Sequence, residues 1–314
     1  MKQFCVAIGL MLAAAAVSAQ EYPNRPLKMI VPFAQGSAVD YSTRFHAEKL
    51  SQLIGQPIVV ENRPGANGTI GLMAVKDAPA DGYTLLAASN SPMTVHPWTV
   101  KNLPYDPNKD FRPICGLFRG QAGFVVPGNS SAKSLKDLGA AAAGRDLMVG
   151  TYAAGYTLFA HLYASQAGVK LTIVPYKGLS QAMTDVLGGR LDLTLVDVGG
   201  ALPFAKDGRV RVLAVSGENR ISQLPDVPTA REIYPGYLAY TWVSFFTRAE
   251  VPDAHVKKLA DAMQKILATT EAKEFVLKHG AEQMPLEPDA MAKFQLGEYE
   301  RLGRIAQAAG IKPE

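Results

Sequence analysis

Short apolar runs that read as strands alternate along this chain with segments whose apolar residues recur every three or four positions. Leu27–Pro32 is the first such strand, and the segment after it carries Ala47, Leu50, Leu53 and Ile54 at helical spacing, with Gly55 placed to stop it. Pro57–Glu61 predicts a second strand. Gly65-Ala66-Asn67-Gly68 then leads into a helix through Ile70, Ala74 and Ala78, and Tyr83–Ala88 is the third strand. This is a βαβαβ unit.

A second unit follows the same rhythm. Its strands are Leu147–Gly150, Leu171–Pro175, Leu191–Val196 and Val210–Val215, and its helices run from about Thr157 to Ala167, over Ser180–Leu187 and over Ala201–Lys206. The alanine run Ala140–Ala143 reads as helix. Two long, irregular apolar stretches, Phe111–Pro127 and Leu238–Thr247, flank this unit, and helices His255–Leu267 and Asp289–Ala309 close the chain. The chain is therefore expected to leave one domain, build a second and return: residues 20–122 with 238–314 form the first, and 123–237 the second. The fold class is α/β, each domain a mostly parallel sheet flanked by helices.

The N-terminus changes the picture of where this fold works. Lys2, the uncharged apolar run Val6–Val17 and the small residues Val17-Ser18-Ala19 have the anatomy of a secretory signal peptide over residues 1–19. The run is shorter than the roughly 20 residues that a membrane span needs. Cys5 would leave with the signal, and Cys115 would remain without an intrachain partner; export without disulfides fits a Gram-negative periplasm. A formal net charge of +4 over 314 residues, with the basic residues scattered, gives no clustered face for nucleic acid.

Candidate chemistry gathers in loops between strands and helices. Gly36-Ser37-Ala38-Val39-Asp40 aims a glycine loop at a helix N-terminus, which favours an anion; spacing alone reads Ser37-x-x-Asp40 as a capping box ahead of a ligand role for Asp40, and the two readings can coexist. Gly150–Thr157 mirrors it with two hydroxyls and two aromatic rings, and there the alternative is N-capping by Thr157 with packed tyrosines. Asp197 ends a strand where α/β sheets present ligands. Lys177 reads as a solvated loop lysine. Gly65-x-x-Gly68-x-x-Gly71 has the wrong spacing for a dinucleotide fingerprint and reads as a tight helix entry. There is no G-x-S-x-G elbow and no H-E-x-x-H; the five histidines are dispersed, and Cys115 sits in an apolar segment. The expectation is a binding protein with no catalytic residues, no metal and no cofactor. Its rivals are a secreted α/β hydrolase with an unrecognised nucleophile, and a sensory binding protein that feeds a signalling receptor.

Several pieces in order carry a resemblance: Tyr22-Pro23-x-Arg25-Pro26, Ile30-Val31-Pro32-Phe33-Ala34, Val60-Glu61-Asn62-Arg63-Pro64-Gly65-Ala66, Ala80-Asp81-Gly82-Tyr83-Thr84-Leu85-Leu86, Val174-Pro175-Tyr176-Lys177-Gly178 and Leu224-Pro225-Asp226-Val227-Pro228-Thr229. Over essentially the whole mature chain they resemble the tripartite tricarboxylate transporter receptor family, the periplasmic solute-binding proteins also called Bordetella uptake gene products. The resemblance implies a two-domain periplasmic-binding-protein fold, a type II-like Venus flytrap, holding a small carboxylate (a di- or tricarboxylate or related acid) between its domains. It implies that amides of both loops grip the acid, partly through ordered water, and that the cargo passes to a two-component integral membrane permease. A monomer is expected. Carried over by position, the ligand-binding residues are Phe33, Gly36, Ser37 and Asp40, joined by Ser89 and Asn90, from the first domain, and Thr151, Tyr152, Tyr156 and Asp197 from the second. The chain departs from the family pattern at Gln35, Ser37 and Tyr156, and His161 falls two places late relative to Gly155. Ligand identity does not transfer across such departures.

Overall fold

A computed structural model describes residues 21–142 and 144–313; the signal peptide expected over residues 1–19 lies outside the described residues. The first lobe begins as the hydrophobic pattern predicts. Strand β1 (Leu27–Val31) pairs in parallel with β2 (Ile58–Asn62) and β3 (Thr84–Ser89), and Leu27, Met29, Ile30 and Val31 are all buried. Helix α1 (Ala38–Ile54) lays Val39, His46, Ala47 and Leu50 inward, and Gly55 ends it in the left-handed conformation at φ 70°. Burying a side chain the size of Leu50 contributes roughly 1.5–3 kcal/mol. Helix α2 (Thr69–Lys76) follows the tight turn Gly65–Gly68, as expected.

The two apolar crossings turn out to be strands that stitch the lobes together. Phe111–Pro127 divides into β4 (Phe111–Gly120) in the first sheet and β5 (Ala122–Pro127) in the second, with Gln121 between them. The return path ends in β10 (Thr241–Arg248), which lies between β3 and β4 and runs antiparallel to both. With the short β11 (Glu282–Gln283), the first sheet has the order β11-β4-β10-β3-β1-β2. The second sheet holds β6 (Leu147–Thr151), β7 (Leu171–Pro175), β8 (Leu193–Asp197) and β9 (Val210–Val215), in the order β7-β6-β8-β5-β9. Both sheets are mixed rather than mostly parallel: β5 runs antiparallel to β8 and β9, as β10 does to its neighbours. The period-2 pattern of an apolar strand carries no direction, so the crossing strands' reversal is invisible to it.

The two crossings bond each other. Gln121 accepts from Gly217 N at 2.8 Å and donates to the carbonyl of Asn219 at 2.9 Å. Ser216 Oγ takes the Ala122 amide and donates to the Ala239 carbonyl, each at 2.8 Å. Around the second sheet lie α5 (Ala154–Ala167), α6 (Leu179–Leu187) and α7 (Val198–Lys206), after the short α4 (Leu135–Ala141). Helices α9 (Asp253–Leu267), α10 (Thr270–Lys278) and α11 (Pro288–Ala308) return to the first lobe, following the one-turn α8 (Ala230–Ile233). Helix α10 was not expected from the sequence, nor was the irregular segment after β3, a π-helical turn Ser91–Val95 running into α3 (His96–Thr99).

Candidate ligand-binding cleft

The carboxyl ends of β1, β3, β6 and β8 face one another across the cleft between the lobes, and each hands over to a helix. Open α/β sheets bind ligands at such strand ends. At the end of β1, Gly36 sits at φ 81°, open to a glycine without strain, and Ser37 adopts the extended N-cap conformation. Ser37 Oγ accepts from Asp40 N at 3.2 Å. The return half of the expected capping box is displaced by one residue, because Asp40 Oδ2 takes the Gly36 amide at 2.9 Å. Asp40 Oδ1 accepts from Asn62 Nδ2 at 2.8 Å and from Arg44 Nε at 3.0 Å, and Asn62 also donates to the Phe33 carbonyl at 3.0 Å. The buried Asp40 thus holds the loop from beneath.

The second loop is built differently. Helix α5 starts at Ala154, not at Thr157, and its N-cap Ala153 offers no side-chain bond. Thr157 instead pairs its hydroxyl with that of Thr151 at 2.8 Å. The buried amide of Gly155, in the first turn of α5, is met from the other lobe by Ser91 Oγ at 2.9 Å. Beside it lies Asn90, 1 % exposed, whose Nδ2 has no hydrogen-bond partner among the described residues. A Cβ placed on Gly155 would come within 2.7 Å of Asn90 Nδ2 and 2.8 Å of Ser91 Oγ, so the close approach of the lobes requires glycine here.

These groups enclose an inner cavity of about 20 Å³, lined from both lobes. Of the residues expected at the site, the structure brings Phe33, Ser37, Ser89, Asn90, Tyr152 and Tyr156 to its wall. Gly36, Asp40, Thr151 and Asp197 stand outside that lining, and all four take part in bonds that hold the loops in place. The Gly36 amide and the Asp40 carboxylate bond each other, and Thr151 bonds Thr157. Asp197 caps α7 by accepting from Gly200 N at 3.0 Å and takes the Tyr152 hydroxyl on its other oxygen. Burial pushes the Asp197 carboxyl above its ordinary range, opposed by those two hydrogen bonds. Burial and the Asp197 charge push the Tyr152 and Tyr156 hydroxyls well up, so both stay protonated and Tyr152 is a donor. The two rings stand 5.0 Å apart.

Sequence reasoning missed Ser91, Gly155, Thr241 and Trp242, all of which line the cavity. The fully buried Trp242 leaves its indole Nε1 without a partner. An indole inside an otherwise featureless apolar crossing was the available signal, since a buried tryptophan N–H ordinarily finds an acceptor. Among the described residues, none that lines the inner cavity carries a charged side chain. What faces it are the N-termini of two helices from different lobes, each equivalent to about half a positive charge, and the unpartnered amide of Asn90. That array is suited to one anionic head group held by neutral donors. The inner cavity has room for about one water, so it would take an oxygen of the head group while the rest of a ligand lay toward the outer space. Phe33 and Tyr152 also line an outer cleft of about 600 Å³, and therefore stand between the two spaces.

Known proteins share this architecture. A protein of R. palustris solved with adipate superposes with a TM-score of 0.90 at 29 % identity, covering 94 % of this chain and all of the other. MatC of Rhodopseudomonas palustris, solved with bound malate, gives 0.86 at 26 % identity over 90 % of this chain and 99 % of that one. A UPF0065 protein of Bordetella bronchiseptica is 35 % identical over 97 % of this chain and 91 % of its own length. BugT of Bordetella pertussis is 31 % identical over 99 % of each. The family model described as tripartite tricarboxylate transporter family receptor matches residues 43–311. With two-lobed α/β geometry, relatives along nearly its full length and a family match over most of its residues, the chain belongs to the tripartite tricarboxylate transporter receptor family.

Proposed function

We propose that this chain is an exported periplasmic receptor that captures a small carboxylate between two lobes and delivers it to a two-component integral membrane permease. We read the lobes as residues 20–122 with 238–314 and residues 123–237. The observation that carries the proposal is the buried, unpartnered Asn90 Nδ2, set between helix N-termini of opposite lobes in a cavity with no charged side chain. The adipate and malate held by similar solved proteins support the carboxylate class, and the family's description supports the permease partner. Hydrogen bonds to a charged group contribute roughly 1.5–3 kcal/mol each, so a few of them account for micromolar binding at about −8 kcal/mol. Asn90 and Ser91 supply side-chain contacts, Phe33, Tyr152 and Tyr156 enclose the ligand, and Gly36, Ser37, Asp40, Thr151 and Asp197 fix the loops that carry the amides. Ser89 lies on the same wall. The protein acts as a monomer and performs no chemistry on its cargo.

The test is a panel of organic acids, with matched amides and amines, screened by thermal shift and followed by calorimetry on the mature chain. The expected result is micromolar binding of at least one acid, with no binding of its amide. Tighter binding of a neutral or cationic analogue than of any acid would overturn the proposal.

A further inference from the structure

The outer cleft is lined by Pro32, Phe33 and the Gly65–Gly68 turn of one lobe, and by Tyr152, Tyr176, Lys177 and Gln181 of the other. Among the described residues lining the cleft and the inner cavity together, Lys177 alone carries a charged side chain. It makes no ion pair among the described residues. The acid nearest in sequence on its lobe, Asp185, is already engaged, accepting from Tyr176 Oη at 2.7 Å and from Arg190 Nη1 at 2.8 Å. The backbone amide of Lys177 donates to Gln181 Oε1 at 3.1 Å, which turns the acceptor end of that side chain inward and leaves its Nε2 as a donor. Lys177 also adjoins the point where the lobes touch, since a Cβ on Gly178 would lie 3.1 Å from Ala34 Cβ. A ligand in the cleft would be held beside it.

We infer that Lys177, with Gln181 beside it, forms a distal subsite that selects ligands bearing a second anionic group. This rests on the carboxylate-receptor reading and deepens it. The first carboxylate sets an oxygen into the small inner cavity, the chain of the ligand passes between the rings of Phe33 and Tyr152, and the far carboxylate emerges into the outer cleft. There one ammonium and one amide donor meet it, with no acid in the lining to compete. The near end is recognised by neutral donors in a closed space, and the far end by a point charge in a half-open one. A diacid uses both ends, whereas a monoacid of the same length leaves Lys177 without an anion.

The experiment compares matched pairs by calorimetry: succinate with butyrate, glutarate with pentanoate, and adipate with hexanoate. The parent protein is expected to favour the diacid of its best pair by roughly tenfold, and that preference should shrink as salt is raised. Lys177→Ala should reduce the preference to about onefold, and Lys177→Arg should retain most of it. Monoacid binding by the variants reports that the fold and inner cavity survive. A diacid preference that is undiminished in Lys177→Ala would overturn the subsite while leaving the receptor reading standing. If the parent bound the monoacids at least as tightly as the diacids, the subsite would likewise fall. If it bound none of the six acids, the receptor reading would fall with it.

Discussion

The two helices that point into the cleft solve the same problem in opposite ways. Helix α1 caps itself: Ser37 takes the Asp40 amide and Asp40 takes the Gly36 amide, all within five residues. Helix α5 has no side-chain cap of its own, and its Gly155 amide is met by Ser91 from the other lobe, 64 residues away. One half of the candidate site is therefore built into a single lobe. The other is completed only when the lobes meet. The difference assigns distinct jobs to residues of similar chemistry: Ser37 maintains structure, while Ser91 and Gly155 report on closure. Ligand binding would then draw on an open–closed equilibrium, as two-lobed receptors require.

This contrast is most easily broken at Gly155. Gly155→Ala places a methyl group against Asn90 and Ser91, at distances no relaxed contact shows. Overpacking of this kind costs about 1–3 kcal/mol, here charged to the closed state, so affinity should fall by up to about a hundredfold. The melting temperature without ligand should change much less. Calorimetry beside small-angle scattering checks this: the variant's radius of gyration should stay larger than the parent's at saturating acid. Equal affinity in variant and parent would mean that the lobes do not close on the ligand in this way.

Acid should distinguish the lobes next. His46 on α1 and His96 on α3 are fully buried, and burial holds both near a pKa of about 4. Unfolded histidine titrates near 6.5, so between about 6.5 and 4 the unfolded chain binds protons that the folded chain refuses. Stability is complete above that window and falls through it, by roughly 3 kcal/mol per histidine. Both lie in the first lobe, whereas the second lobe's His161 is only partly buried. Thermal melts from pH 7.5 to 4.5 should therefore show a steep loss. Hydrogen exchange at pH 5 should show the first lobe opening sooner; a melting temperature constant across the range would contradict the burial argument.

The smallest effects sharpen the comparison most. Ser91→Ala removes a hydrogen-bond acceptor that works only in the closed form. It should weaken binding several-fold, in line with about 1 kcal/mol, with stability nearly untouched. Ser37→Ala removes an N-cap worth about 1 kcal/mol and should lower the melting temperature by roughly 2–4 °C. Chemical denaturation and calorimetry on the two variants give four numbers. If Ser91→Ala cost stability rather than affinity, the cross-lobe cap would be no cap at all.

The same contrast explains what the sequence made legible. The first loop could be read because Ser37, Asp40 and Gly36 lie within one helical turn, and capping chemistry is local. The second could not, since Thr157 looked like a cap until the fold supplied Ser91 from across the cleft. The βαβ units were legible from period and, in the first lobe, from the glycine stop at Gly55. The antiparallel entry of β5 and β10 was not, because strand order and direction depend on partners far away in the chain. Asp197 was found as an acid at a strand end. Its work as the cap of α7 and the acceptor for Tyr152 required the packed structure. Trp242 was hidden because it sits in a buried, largely apolar crossing strand, so the one polar atom of its indole drew no notice.

The central claim is that a carboxylate is gripped at the junction of the lobes by neutral donors, Asn90 foremost. Its most direct test is a nuclear magnetic resonance titration of the mature chain with the tightest-binding acid, following the side-chain amide of Asn90. The account predicts that the Asn90 Nδ2 protons move downfield and saturate at the affinity measured by calorimetry, as a buried donor without a partner gains a charged one. Asn90 signals that stay in place while the protein is saturated with acid would contradict it.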